Sequence, residues 1–203
     1  MTKLVLGTKN KKKLTELKDL LADLPFEVLD LSPWPDVPDV EETGTTFEEN
    51  ARLKATGFAR SVREYVLAED SGLVVPALKG APGVYSARYG GTHGNDAANN
   101  TRLLAELKDI PPEKREAYYV CTAALADPEG NVLVVTEGRC HGRIVSDYRG
   151  GGGFGYDPLF LVPEYHQTFG ELSLRVKQAL SHRAKAVSQL RPVLRRLSQQ
   201  SGN

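Results

Sequence analysis

The segment Lys3-Leu-Val-Leu-Gly-Thr-Lys-Asn10 and the leucine-rich stretch that follows it decide the fold class of this chain. The apolar run predicts a short strand over residues 3–8, and Asn10 is a residue type that caps helix N-termini. Leucines then recur at helical spacing, at Leu14, Leu17, Leu20, Leu21 and Leu24. A strand, a tight turn and a helix N-terminus in this order indicate an α/β protein with a cradle for phosphate.

The turn after the first strand, residues 8–13, is called the lysine turn because it carries Lys9, Lys11, Lys12 and Lys13. These cations lie at the positive end of the helix dipole, where each one costs about 0.3–1 kcal/mol. A bound phosphate would compensate for this cost. The alternative is an exposed, solvated turn, and the glycine pattern of a Walker A loop is absent. The lysine turn therefore predicts an anion site only together with other motifs.

Length and composition predict one domain over residues 1–203, in which two lobes are possible. Lys+Arg and Asp+Glu are each 26, so the net charge is zero, which argues against a nucleic-acid-binding protein. Cys121 and Cys140 lack C-x-x-C spacing, which predicts a reduced cytoplasmic location without zinc. No apolar stretch is long enough to predict a signal peptide or a membrane span.

The remaining pattern predicts a mixed α/β fold whose strands bend. Strands are predicted over residues 26–31, 65–68, 117–126 and 132–144, with a hairpin turn between the last two. Helices are predicted over residues 46–63 and 96–107 and from about 181 onward. Pro192 is predicted to kink or restart the last helix.

Carboxylates form a second candidate site. Asp70, in Glu69-Asp70-Ser71-Gly72, follows an apolar strand and, with Glu41 and Glu42, would supply the oxygen ligands that Mg²⁺ prefers. An Asx turn at Asp-Ser-Gly and a solvated loop edge at the two glutamates are the structural alternatives.

A third cluster lies late in the chain. The glycines at 150–153 allow close backbone approach, and Phe154 offers a ring for stacking on a base. Asp157-Pro158 predicts a turn, and Lys177 with His182-Arg183 adds donors near the last helix. A linker and a core phenylalanine are the alternatives for the separate parts, but together they predict a nucleotide pocket.

In this order, six motifs resemble the inosine triphosphate pyrophosphatase family, from about residue 3 to about residue 195. The motifs are Thr8-Lys-Asn10-Lys-Lys-Lys13, Glu42-Thr-Gly-Thr-Thr-Phe-Glu-Glu-Asn50, Asp70-Ser-Gly-Leu73, Gly80-Ala-Pro-Gly-Val-Tyr-Ser-Ala-Arg88, Gly152-Gly-Phe-Gly-Tyr-Asp-Pro158 and Ser181-His-Arg183. The resemblance implies an elongated α/β fold with a long curved mixed sheet, flanking helices and two lobes around a central cleft, usually as a homodimer. It also implies Mg²⁺-dependent hydrolysis of dITP, ITP and XTP to the monophosphate and pyrophosphate.

The same resemblance implies roles for particular residues. Asp70 is the general base and a metal ligand, and either Glu41 or Glu42 is the metal glutamate. The triphosphate is bound by the lysine turn, above all Thr8, Asn10 and Lys13, with help from Lys54. Ser71 is a substrate-binding serine. The base is bound by Phe154, Gly155, Tyr156, Asp157, Lys177, His182 and Arg183. The chain departs from the family at Glu69, where many members have Asp, and in its lysine turn, where relatives often have glycine beside the Asn.

Discrimination follows from hydrogen bonding. Donors from Lys177, His182 or Arg183 suit a 6-oxo purine and stay unpaired against adenine. A pyrophosphatase for other modified nucleotides and a non-catalytic nucleotide-binding protein are the alternative functions.

Overall fold

The computed structural model describes residues 1–200, with helices and strands alternating over the first half of the chain. The helices are α1 (Lys11–Leu21), α2 (Phe47–Val62), α3 (Asp96–Leu107), α4 (Leu174–Leu180) and α5 (His182–Gln200). The strands are β1 (Thr2–Leu6), β2 (Phe26–Leu29), β3 (Tyr65–Val74), β4 (Glu116–Ala126), β5 (Val132–Ile144), β6 (Phe160–Val162) and β7 (Gln167–Thr168). Among the helices of this described part, none is long and apolar enough to cross a membrane.

Seven strands form one sheet in the order β2-β1-β3-β4-β5-β6-β7. β1 pairs in parallel with β2 and β3, while β6 pairs antiparallel with β5 and β7. The predicted mixed α/β fold with flanking helices is therefore confirmed. The elongated shape, the curvature and the central cleft stay predictions.

The chain divides into two compact units. The first unit comprises residues 1–70, residues 121–138 and the chain from residue 183 onward, and the second comprises residues 71–120 and 139–182. The single domain over residues 1–203 stays a prediction.

The first unit has two apolar clusters, because β1 is buried on both faces. Leu4 and Leu6 lie in a cluster with the apolar residues of α1 and α5, whereas Val5 lies in a cluster with those of α2. Successive side chains of a strand point to opposite faces, which explains this division. The second unit has its own core, around Tyr119 and Phe160.

Local sequence explains where most helices begin. Thr46 accepts a hydrogen bond from the Glu49 N–H, and the Glu49 side chain bonds back to the Thr46 N–H, which forms a capping box at α2. Ser173 caps α4 through the Val176 N–H. α4 and the short strands β6 and β7 escaped the sequence prediction, because elements of two to seven residues carry little periodic signal.

The structure corrects two local predictions. β3 continues through Asp70 to Val74, so the Asp-Ser-Gly segment is strand and not an Asx turn. The buried Leu73 and Val75 extend the apolar pattern beyond the acidic pair. α5 runs without interruption through Pro192, so the restart does not occur, while the kink stays a prediction.

Candidate active site

The lysine turn is held by its own side chains. Asn10 caps α1, and its Oδ1 accepts from the backbone N–H groups of Lys12 at 3.0 Å and Lys13 at 3.2 Å. The Asn10 N–H donates to Thr8 Oγ1 at 3.2 Å. A Cβ on Gly7 would lie 2.9 Å from Val66 Cγ1, so the turn requires a glycine at its start. The Asn10 side chain therefore already accepts from two of the helix N-terminal N–H groups, those of Lys12 and Lys13, that were predicted to bind a phosphate.

The lysines of this turn do not form a single cluster. Lys13 Nζ lies 3.1 Å from Glu69 Oε1, inside the first unit. Lys9 Nζ instead pairs with the exposed Asp39 at 2.6 Å. Thr8, Lys9 and Lys11 line a pocket of about 520 Å³ together with Trp34, and Lys12 is exposed. Lys13 is thus the lysine of this turn that the structure brings next to the acidic residues of β3.

Asp70 lies at the centre of a buried polar cluster in the first unit. Lys54 Nζ is 3.1 Å from Asp70 Oδ1 and 3.2 Å from Glu42 Oε1. Asn50 Nδ2 donates to Asp70 Oδ2 at 3.2 Å, and Asn50 Oδ1 accepts from the Gly44 N–H at 2.8 Å. Both α2 residues therefore aim at the carboxylate on β3. Asn50 ends the motif that begins at Glu42, but an asparagine in a helix does not by itself indicate a hydrogen bond to a distant carboxylate.

Burial sets the protonation of these groups. Burial raises the pKa of Asp70, and the nearby Glu42 and Glu69 carboxylates add to this, while Lys54 and Lys13 oppose it. Burial alone would lower the pKa of Lys54, but the Asp70 and Glu42 carboxylates outweigh it and raise that pKa. A carboxylate with a raised pKa in a buried cluster is typical of a general base.

The acidic residues fit a hard cation in part. Among the described residues, no group of three or more His, Cys, Asp or Glu side chains has the arrangement of a metal centre. Mg²⁺, however, needs only one or two carboxylates when water and substrate phosphate fill its other positions. Glu42 and Asp70 share the Lys54 ammonium group, so they lie close enough to act together. Glu41 is exposed, and its predicted metal role stays a prediction.

Arg183 is buried in a set of ion pairs within the first unit. Its Nη2 donates to Glu69 Oε1 at 3.0 Å, its Nη1 pairs with Glu16, and the side chain is 1% exposed. Burial would raise the pKa of Glu69, but Arg183 and Lys13 hold it well below the usual range. The guanidinium group therefore binds two carboxylates of the first unit. Its predicted contact with a purine stays a prediction.

The second unit holds a separate cluster around Asp157. Lys177 Nζ lies 2.7 Å from Asp157 Oδ2 and 4.8 Å from the centroid of the Phe154 ring. The Phe154 N–H donates to the same Oδ2 at 2.8 Å. Asp157 therefore binds both the Lys177 ammonium group and the backbone N–H of Phe154. These three residues of the predicted base pocket lie together for this reason.

Aromatic residues support this cluster from within the same unit. The Tyr119 ring stacks on His182 with centroids 4.8 Å apart, and its hydroxyl donates to Asp157 Oδ1 at 3.2 Å. Tyr156 is buried, and its hydroxyl donates to the Ser86 carbonyl at 2.8 Å, so its side chain serves the core. Tyr119 was missed because nothing local marks a strand tyrosine as a partner of a distant aspartate.

The glycine-rich loop is anchored by α3. The Gly155 N–H donates to Asp96 Oδ2 at 2.9 Å, and its carbonyl accepts from Asn100 Nδ2 at 2.9 Å. Gly153 has φ +76°, and a Cβ there would lie 2.0 Å from Asp157 Oδ2. Asp96 and Asn100 were also missed, since only the tertiary structure brings α3 to this loop.

Ser71, the predicted substrate-binding serine, is half-buried on β3, directly after Asp70.

Comparison with known proteins supports the motif assignment. The model of the Ham1 family matches residues 4–193. A protein of Rhodopirellula baltica named dITP/XTP pyrophosphatase is 55% identical, over 98% of this chain and 96% of its own. A protein of the same name from Geobacter sulfurreducens is 51% identical, over 94% of this chain and 96% of its own.

A solved structure agrees with the fold. The structure of a HAM1 protein from Coxiella burnetii superposes with a TM-score of 0.87 at 40% identity, covering 96% of this chain and 98% of that one. The family match extends over nearly the whole chain, as its ordered motifs predicted. The chain belongs to the Ham1 family.

Proposed function

We propose that this protein hydrolyses non-canonical purine nucleoside triphosphates, namely dITP, ITP and XTP, to the monophosphate and pyrophosphate. The observation that carries the proposal is the buried Asp70 carboxylate, held by Lys54 and Asn50. It lies in a chain that is about half identical to curated relatives named dITP/XTP pyrophosphatase. The activity would remove these nucleotides from the cytoplasmic pool, and we propose a homodimer as the assembly.

The proposed reaction is attack of water on the α-phosphorus. Asp70 orients the water and accepts its proton, the bond between the α-phosphorus and the bridging oxygen breaks, and pyrophosphate leaves with the electron pair. The raised pKa of Asp70 suits this role, because a base with a pKa nearer the working pH accepts protons more effectively. Lys13 and Lys54 supply positive charge for the phosphates.

Glu42 and Asp70 are the residues that would hold Mg²⁺. The ion, when bound, neutralises charge that develops on the phosphate oxygens. Lys54 already neutralises part of the charge of both carboxylates, since its ammonium group lies 3.2 Å or less from each. Lys54, which lies beside both carboxylates, would also donate to the phosphates.

For the base, we propose Phe154 as the stacking ring, with Lys177 and His182 as donors to the 6-oxo group. Lys177 keeps its orientation through Asp157, and His182 keeps its orientation through the Tyr119 ring. Adenine has an amino group at position 6, so these donors would face another donor and remain unsatisfied. A buried site of this kind rejects a mismatched partner by up to about four orders of magnitude.

The test is a substrate panel with the purified full-length chain. dITP, XTP, dATP, dGTP and modified pyrimidine triphosphates are incubated with Mg²⁺ and, in parallel, with excess EDTA. We expect pyrophosphate and not orthophosphate, only with Mg²⁺, and fastest from dITP or XTP. A preference for another triphosphate would favour the broader pyrophosphatase alternative. Tight dITP binding without turnover would indicate a nucleotide-binding protein instead.

A further inference from the structure

Glu69 is the buried carboxylate that the proposed reaction does not use. It lies on β3 beside Asp70, and its side chain is fully buried. A single oxygen, Oε1, faces Lys13 Nζ at 3.1 Å, Arg183 Nη2 at 3.0 Å and Arg183 Nε at 3.3 Å. Cys121 Sγ donates to the other oxygen at 3.4 Å. A carboxylate in the middle of a sheet strand therefore receives two cations from two different helices.

The charges around Glu69 form a balanced set. Lys13 and Arg183 are the cations, and Glu69 and Glu16 are the anions, so the four side chains sum to zero when all are ionised. Charges that leave water need such partners, and removing one member leaves an uncompensated charge. The set is thus a unit, in which Arg183 fixes Glu69 and Glu69 fixes Lys13.

The two cations differ in what they can reach. The Arg183 side chain is 1% exposed, with its guanidinium directed at Glu69 and Glu16. The Lys13 side chain is 17% exposed, so part of it is accessible to a ligand while its ammonium group stays paired with Glu69. A lysine side chain has a flexible four-carbon stem. A fixed anion beside its ammonium group restricts the rotamers of that stem before a ligand binds.

We propose that Glu69 is a positioning residue that holds Lys13 in place for the triphosphate, with Arg183 as its counter-ion. This rests on the proposed function for the identity of the ligand. Arg183 then acts through Glu69 and not on the purine. Lys9, whose partner Asp39 is exposed, and Lys11 line the pocket beside Trp34, and they contribute less to binding of the phosphates.

The experiment measures binding of inorganic tripolyphosphate, without metal, by calorimetry. Glu69→Gln keeps the shape of the side chain and removes its charge, and we expect the dissociation constant to rise about 10-fold. Lys13→Met should weaken binding by a similar factor, and the double variant should be no weaker than Lys13→Met alone. The matched control is Asp39→Asn, which removes the exposed carboxylate partner of Lys9 but leaves the buried Glu69–Lys13 contact; its effect should stay below about 2-fold.

A second readout guards against loss of fold. Glu69→Asp keeps the charge but shortens the side chain by one methylene, so Lys13 loses its anchor while the charges stay balanced. Brief acylation of the folded protein, read out by mass spectrometry, should then label Lys13 faster relative to Lys12 than in the parent. This variant should also show weaker tripolyphosphate binding.

Two results would overturn the proposal. One is a Glu69→Gln effect that is just as large in the Lys13→Met background, since the two residues would then act independently. The other is unchanged Lys13 labelling in Glu69→Asp. Neither readout needs catalysis, so a protein that binds tripolyphosphate in this manner but hydrolyses no nucleotide would contradict the proposed function and leave the positioning role intact.

Discussion

Lys177 Nζ lies 2.7 Å from Oδ2 of Asp157, and the two side chains are only 7% and 5% exposed. The same carboxylate accepts from the Phe154 N–H and the Tyr119 hydroxyl, so it binds a cation, a loop and a core aromatic residue at once. A charge-assisted pair with additional hydrogen bonds is rigid, and it fixes where the ammonium group points. The second unit therefore presents Lys177 in one orientation beside the Phe154 ring.

Replacing Lys177 should reduce the preference of the enzyme for dITP over dATP. Lys177→Met keeps the length of the stem but removes the donor, so kcat/KM for dITP should fall about 100-fold while that for dATP changes little. Steady-state kinetics with both nucleotides measures this. Arg175→Met, on the exposed face of α4, is the control and should leave both values unchanged. An unaltered ratio in Lys177→Met would show that this lysine does not read the base.

The glycine loop allows a matched pair of alanine variants. Gly153→Ala places a Cβ 2.0 Å from Asp157 Oδ2 at a φ of +76°, so it should break the Phe154–Asp157 bond and lower kcat/KM for dITP at least about 10-fold. Gly151→Ala meets no atom within 4 Å and should be neutral. Equal activity of the two variants would mean that the close packing at Gly153 is not required.

The general base is tested by an isosteric change. Asp70→Asn keeps the shape of the side chain but has a single acceptor oxygen, so it can accept from Lys54 or from Asn50 and not from both. The fold should persist at somewhat lower stability, while kcat should fall by at least about 100-fold. Circular dichroism checks the fold and single-turnover pyrophosphate release checks the rate. Asp39→Asn, which changes an exposed partner of Lys9, is the control. Near-parental turnover by Asp70→Asn would remove Asp70 from the chemistry.

Arg183 should matter first for stability. Arg183→Ala leaves Glu69 and Glu16 without their shared cation, and breaking a buried pair of this kind costs about 3–5 kcal/mol. Urea denaturation measures the loss. Arg191→Ala removes a more exposed ion pair with Asp23 and should cost less than about 1 kcal/mol. A stable Arg183→Ala protein with a narrowed dITP to dATP ratio would support the base-reading role instead.

One carboxylate predicts a pH dependence of stability. Hydrogen bonds from Ser32 and Lys18 lower the pKa of Asp30 from 3.8 to about 2. A lowered pKa in the folded state stabilises the protein above pH 3.8, and this contribution is lost as the pH falls towards 2. Asp30→Asn should therefore cost up to ~1 kcal/mol at pH 7, because the site is partly exposed, and only a small fraction of that at pH 2 and below. Chemical denaturation at several pH values measures the free energy of unfolding of the parent and of Asp30→Asn. A difference between the two proteins that does not change with pH would contradict the prediction.

Capping residues, turn residues and hydrophobic periodicity predicted most helices and strands of this fold. The capping residues Asn10 and Thr46 begin α1 and α2 where the residue pattern placed them, because a cap acts within four residues of chain. The hairpin between β4 and β5 follows from Asp127 and Gly130, which form a turn by themselves. β3 ran further than predicted, because its last residues are buried by contacts with residues distant in sequence.

The α/β class, the capped helix starts and the chemical groups available for a site can all be predicted from the residue order, since they depend on near neighbours and residue type. How those groups pair depends instead on the packing of distant elements. The tertiary structure placed Lys13 and Arg183 on one oxygen of Glu69, Lys54 and Asn50 on Asp70, and Lys177 on Asp157. Ion pairs between residues 16 to 114 positions apart depend on which helix packs on which strand, and burial then makes each pairing obligatory because an unpaired charge inside the protein is too costly.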